Sequence, residues 1–349
     1  MVGQTYDVAT DFLTDAEPAS VPDEDLWFLP GPPEPAFDPT PPGPRAEPNE
    51  ASVLDEWRAA EAGQAARLAR VALRLGQLDE RLRQGPPGWR QRLALAEAVD
   101  LGWHAGYRIA PDRLALWIVL RVGNTEAEDQ GYAKLGWAVR RLTGGPGPMA
   151  DLATFLGRHE IGGGEEAPLS ERIAGLLEML HAGRDLHPLT RACLCFHLWP
   201  LAGIGPEGER LEAAVTAARL AAGDCAAAAF VPLATAGGAA LRAGGLPPVR
   251  LGRWLDGMEA GLAATLRGLE DLTAWQTRAQ AEIADLSGQT PGRLVEALIG
   301  WPLLSASMAE ALTGKSRAAV QRNLTLFQAR GLVREVTGQG RFRFWKAVG

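Results

Sequence analysis

The sequence predicts a mainly α fold: a multi-helix body with a short tail that also carries strands. Alanine and leucine dominate a 349-residue chain in which 46% of residues are hydrophobic but only 7% are aromatic, so helix formers outnumber the residue types that favour strands. Apolar positions also return every three or four residues over long stretches, the period of a helix with one buried face. A chain of this length exceeds what one core usually holds, and composition divides it into residues 1–50, 51–290 and 291–349.

Residues 1–50 cannot build a core. Proline recurs in "LPGPPEPAFDPTPPGPRAEP", and each one fixes φ and removes a backbone donor, so an acidic, Pro-rich disordered segment is expected. Eleven acids stand against one base, Arg45, giving a net charge of −10 on a chain whose total is −7. One island interrupts this pattern: Leu26, Trp27, Phe28 and Leu29 in "DEDLWFLP". It reads either as a short peptide that docks on a partner or on the basic tail, or as a sticky spot in a linker or strap.

From Leu54 to Leu82 a helix is expected on the apolar face Leu54, Trp57, Leu68, Val71, Leu75, Leu78 and Leu82, ending at "QGPPG". A second follows over about Trp89–Gly102. Another starts after Pro111, since proline suits the first turn, and "LTGGPGPMA" is the next break. "GRHEIGGGEEAP" is a loop by its glycines, and two helices flank the glycine-rich loop Ala202–Gly208. A long helix over about Trp254–Ser287 carries Leu255, Met258, Leu262, Leu269, Leu272, Ile283 and Leu286 along one seam. Such a seam is either buried in its own domain or pairs with a twin in a dimer.

In the tail, a helix after Pro291 points Leu294 and Leu298 inward. Ser305 caps a second helix, Gly314 makes a tight turn, and Ser316 caps a third with Val320, Leu324 and Phe327 as its core stripe. Gly331 ends that helix, and "LVREV" and "FRFWKAV" read as two strands about a turn. Three helices and a β-hairpin make a winged helix-turn-helix. The tail holds nine bases against three acids (Glu296, Glu310, Glu335), a net of +6, and such a local field matters more for nucleic acid than the sign of the whole chain. Ser316, Arg317, Gln321, Arg322 and Thr325 fall on or at the start of the third helix's outer face. Arginine and glutamine offer bidentate contacts to guanine and adenine edges. Lys315 is expected to hold a phosphate, and the wing residues Gln339, Arg341 and Arg343 are placed to reach phosphates or the adjacent minor groove. Winged helices also dock proteins, so an adaptor role stays open beside DNA reading.

"AEALTGKSRAAVQRNLTLFQARGLVREVTGQGRFRFW" resembles alphaproteobacterial proteins that join a helical domain of unknown function to a C-terminal helix-turn-helix. Fainter agreement runs through "LGQLDERLR", "GWRQRLALAEAVDLGWHAG" and "LTRACLCFHLWPLA". More remotely, the layout is similar to Fic-type proteins, whose helical nucleotidyl-transfer domain often precedes a winged helix. On "WPLAGIGPEGER" only Pro200 and Arg210 match the Fic loop; Trp199 stands at the histidine base, Gly203 at the acid, Gly205 at the asparagine and Glu207 at the first arginine. The resemblance then implies a degenerate Fic-like scaffold without the catalytic groups, a binding domain rather than an enzyme.

Other chemistry is sparse. "CLCFH" brings Cys193, Cys195 and His197 close in sequence, yet on a helix Cys195 points away from the other two, and no second cysteine pair follows; small buried core residues are the plainer reading. "GGGEE" lacks the lysine and setting of a phosphate loop. No metal or cofactor is expected. With no leader and no long apolar run, a cytoplasmic protein is expected, with no membrane partner. The reading is a transcriptional regulator whose partners are double-stranded DNA and, as open alternatives for the body, a second copy of the chain, an effector, RNA polymerase or another regulator.

Overall fold

Helix is the dominant element of the computed structural model, which describes residues 50–120, 126–157, 168–205, 208, 210–242, 244–337 and 343–348. These all fall in one compact unit. The island Leu26, Trp27, Phe28 and Leu29, the loop residues 158–167 and the tail residues Gln339 and Arg341 lie outside the described residues.

Two helices, α1 (Glu50–Gly63) and α2 (Ala65–Gln84), stand where one was expected. Between Trp57 and Leu68 the sequence has no large apolar side chain, so no buried stripe holds a continuous helix. The chain breaks at Gln64, with φ −111° and ψ 11°. On either side the expected face is buried: Leu54 and Trp57, then Val71, Leu75, Leu78 and Leu82. After α3 (Gly88–His104), the stretch beyond Pro111 also divides, into α4 (Pro111–Leu120) and α5 (Glu126–Thr143). Gly123 and Asn124, poor helix formers, fall between them in sequence. The short α6 (Leu152–Leu156), α7 (Leu169–Ala182), α8 (Pro188–Leu198) and α9 (Leu211–Ala221) follow. The pair α8 and α9 flanks the glycine-rich loop as expected and packs closely.

An irregular segment follows α9 and runs through the body with Ala228, Phe230, Val231, Leu233 and Ala234 buried. Buried backbone N–H groups outside helices need other acceptors. Two carboxylates supply them. Asp79 of α2 accepts from the N–H groups of Ala226, Ala227 and Ala228 at 3.1, 2.7 and 2.7 Å. Glu97 of α3, fully buried, accepts from the N–H groups of Leu233, Ala234 and Thr235 at 2.7, 2.9 and 3.1 Å, and from the Thr235 hydroxyl at 2.7 Å. Burial pushes both carboxyls up. At Asp79 the three N–H donors outweigh burial and hold the group below its ordinary value; at Glu97 burial wins.

The long helix α10 spans Pro247–Glu282, starting earlier and ending earlier than the expected Trp254–Ser287. Pro247 occupies the first turn, where its missing N–H costs nothing. Ile283 and Leu286 are partly buried beyond the helix end. Leu255, Met258, Leu262, Leu269 and Leu272 are buried against α1, α2, α8 and the other elements around α10. The seam is therefore spent within the chain and is not on offer to a twin.

In the tail, α11 (Thr290–Gly300) precedes β1 (Leu304–Ser305), α12 (Ala306–Thr313), α13 (Arg317–Ala329), β2 (Val333–Glu335) and β3 (Phe344–Ala347). The strands form an antiparallel sheet in the order β1-β3-β2, with Leu304 opposite Trp345 and Val333 opposite Ala347. The short β1 was not expected. Leu294, Leu298, Val320, Leu324, Phe327 and Leu332 form the tail's core. The tail also packs on the body. Trp275 of α10, buried at 2% exposure, donates its indole N–H to the Leu332 carbonyl at 2.8 Å, and Arg92 of α3 donates to the Leu298 carbonyl at 2.9 Å. Arg330 pairs with Asp285 at 2.7 Å. Among the described residues, no helix is long and apolar enough to cross a membrane.

Candidate nucleic-acid interface

The pair α12 and α13 is set by local chemistry read directly from the sequence. The Ser305 hydroxyl accepts from the Met308 N–H at 3.1 Å, and the Ser316 hydroxyl from the Ala319 N–H at 3.4 Å, each occupying a donor the helix leaves open. Gly314 closes α12 at φ +64°, a left-handed conformation that a residue with a Cβ reaches only at a cost. With Val320, Leu324 and Phe327 fully buried, helical geometry turns the opposite side outward. Arg317, Gln321, Arg322 and Thr325 are all exposed there, and Arg317, Gln321 and Thr325 stand four residues apart along one line.

Those three side chains line a cleft of about 570 Å³ with Arg343, with Phe344 and Trp345 of β3, and with the segment Ser305–Ser307. Leu116 of α4 lines the same cleft, and α4 packs against α12. A body helix thus borders the outer face of α13, which the tail sequence alone did not indicate. The signal lay in "LALWIVL": a run with no polar side implies a helix covered from more than one direction.

The charges on this face are partly neutralised. Arg317 donates to Glu310 of α12 at 3.1 Å, and Arg343 lies 3.5 Å from Glu335 of β2. Both pairs are solvent-exposed on the arginine side, at 58% and 52%, so each contributes little to stability and opens at little cost when a stronger anion arrives. Lys315 donates its ammonium to the Gln289 side chain at 3.2 Å. Arg322 has no partner among the described residues. Gln339 and Arg341 lie outside the described residues, so of the three candidates that follow β2 in sequence only Arg343 is described.

Elsewhere, Cys193 and Cys195 are fully buried in α8, and His197 is 6% exposed. Burial pushes the Cys195 thiol up to about 12 and the Cys193 thiol well above its ordinary value. Burial and the positive charges of Arg250 and Arg210 push His197 down to about 4. His187 turns its Nδ1 to the Leu189 N–H at 3.2 Å and caps α8. Among the described residues no group of three or more metal-ligating side chains comes together. In the glycine-rich loop, Trp199 is buried at the end of α8 and Arg210 stands before α9; Glu207 lies outside the described residues.

No protein-family model matches the chain, and no curated protein matches it.

Proposed function

We propose that the chain is a DNA-binding transcriptional regulator and that residues 291–349 are a winged helix-turn-helix. The outward face of α13 carries the proposal: Arg317, Gln321, Arg322 and Thr325 stand exposed on a helix whose other side is locked into the tail core. In this reading Arg317, Gln321 and Arg322 contact base edges, Thr325 borders them, and Ser316, Lys315 and Arg343 hold phosphates. Gln339 and Arg341, which fall between β2 and β3 in sequence, are further candidates for phosphate contact. The chain has no catalytic step in this account, and the resemblance to helical proteins with a C-terminal helix-turn-helix points the same way. A homodimer, which two half-sites would favour, must use a surface other than the α10 seam.

The test is fluorescence anisotropy of the full chain on a labelled mixed-sequence duplex as salt rises from about 50 to about 200 mM. A DNA reader weakens steeply, with a log–log slope of about −0.9 for each phosphate neutralised. A flat response with no binding at low salt removes the proposal.

A protein-docking adaptor is the second reading. It is favoured by the apolar components of the cleft, Leu116, Phe344 and Trp345, and by the acids Glu310 and Glu335 beside Arg317 and Arg343. Failure to bind DNA at every salt concentration leaves this reading in place.

A further inference from the structure

A second cleft lies in the body, away from the tail, and its lining is chemically divided. Its floor is made of core side chains, Leu101 and Leu211 at 1% exposure and Phe196 at 0%. Its rim carries Arg210, Arg242 and His104. Glu212 of α9 is not among the lining residues, and no carboxylate lines the cleft among the described residues; Glu207 and Glu209, beside Gly208 and Arg210 in sequence, lie outside them. Arg210 lies with its guanidinium carbon 5.4 Å from the centre of the Phe196 ring, and its Nη1 is sealed from solvent with no hydrogen-bond partner among the described residues. His104 reaches its place because Gly238 has no side chain: a Cβ there would meet the imidazole Nε2 at 2.2 Å. The start of α9 adds the favourable end of a helix dipole for negative charge.

We propose that this cleft binds a small organic carboxylate, its charged end held by Arg210 and Arg242 and its apolar end on Leu101, Phe196 and Leu211. Size fixes the class. The cavity is about 230 Å³. That exceeds the roughly 150 Å³ that holds a benzene ring and falls below the roughly 300 Å³ at which pockets for larger ligands begin. An aryl or short branched carboxylate fits; a nucleotide does not. Two guanidinium groups match the planar, two-oxygen geometry of a carboxylate. The site does not depend on whether the tail binds DNA.

Calorimetric titration of the full chain with benzoate and with isovalerate tests the proposal, with benzamide as the neutral counterpart of benzoate and adenosine monophosphate as a larger anion. Arg242 is exposed, so Arg242→Gln keeps the fold, which the thermal midpoint of the variant checks. The expected result is binding of at least one carboxylate, no binding of benzamide, and roughly tenfold weaker binding by Arg242→Gln, the loss of one charge-assisted pair. A ligand that binds the folded state also raises the thermal midpoint, with a stabilisation that grows as the logarithm of one plus the ratio of free ligand concentration to Kd, a second readout. Equal binding of benzoate and benzamide, unchanged affinity in Arg242→Gln, tighter binding of adenosine monophosphate than of both carboxylates, or no binding of either carboxylate overturns the proposal.

Discussion

Replacing Glu97 by glutamine keeps the shape of the side chain and removes only its charge and one acceptor. In the native protein its two oxygens accept from four donors: the N–H groups of Leu233 and Ala234 on one oxygen, the N–H and hydroxyl of Thr235 on the other. Glutamine keeps one oxygen for Leu233 and Ala234. Its amide nitrogen then faces Thr235, whose hydroxyl turns to accept but whose N–H is left without a partner. One buried orphan donor costs about 1–3 kcal/mol, and the remaining bonds lose the strength that the charge lent them. Against this, an uncharged amide is cheaper to bury than a carboxylate. The net expectation is a loss of about 2 kcal/mol for Glu97→Gln where the native carboxyl is protonated, because its hydroxyl oxygen still accepts from the Thr235 N–H and an amide nitrogen cannot. The pH dependence carries a sign. Burial holds the Glu97 carboxyl above its ordinary value in the folded chain, so the folded state binds that proton more tightly than the unfolded one. That stabilisation is complete below the ordinary carboxyl range and is lost as pH rises through the folded value, whereas glutamine has none to lose. The stability gap between the two proteins therefore narrows as pH rises. Urea denaturation followed by circular dichroism at about pH 5 and about pH 8 compares the gap at two points as pH rises. A variant as stable as the parent at both values, or a gap that widens with pH, would refute this account of the clamp.

The Asp79 clamp carries the opposite sign: its carboxyl is held low, so its contribution is present above the ordinary value and lost as pH falls through the folded one, and Asp79→Asn should flatten the acid limb of the stability profile. Gly314→Ala should cost about 1 kcal/mol in the same denaturation assay, because alanine must adopt φ near +64° to keep α12 and α13 in place. Trp275→Phe should lower stability by about 1–2 kcal/mol by stripping the Leu332 carbonyl of its donor, and should speed exchange of amides in the tail more than in α8. At pH 8 Ellman's reagent should leave Cys193 and Cys195 untouched in the native chain and reach both in denaturant; rapid native labelling of either would show that α8 is not the core helix described.

How much of this was legible beforehand follows from the range of each interaction. The caps at Ser305 and Ser316, the turn at Gly314 and the stripe Val320, Leu324 and Phe327 act within a few residues, and each is where the sequence put it. The break at Gln64 was missed because periodicity counts the positions that fit and overlooks a gap between Trp57 and Leu68. The extent of α10 was displaced because Pro247 can open a helix as well as end one. Longer-range features left fainter traces. Nothing local marks Asp79 or Glu97 as clamps for residues well over a hundred positions away. Arg210, Arg242 and His104 come from three separate stretches, and only the fold brings them to one rim. Likewise the two residues of β1 are too few to read, and pair only because β3 lies beside them.

The most direct test of the DNA-reading account is selection of bound sequences from a random duplex pool by the full chain, at a fixed salt concentration near physiological. It is run in parallel with an Arg317→Ala, Gln321→Ala, Arg322→Ala triple variant. All three side chains are exposed, so the variant folds and differs only in what it offers the major groove. The account predicts an enriched motif that the triple variant loses. No enrichment by the intact chain, or the same motif from both proteins, would contradict it.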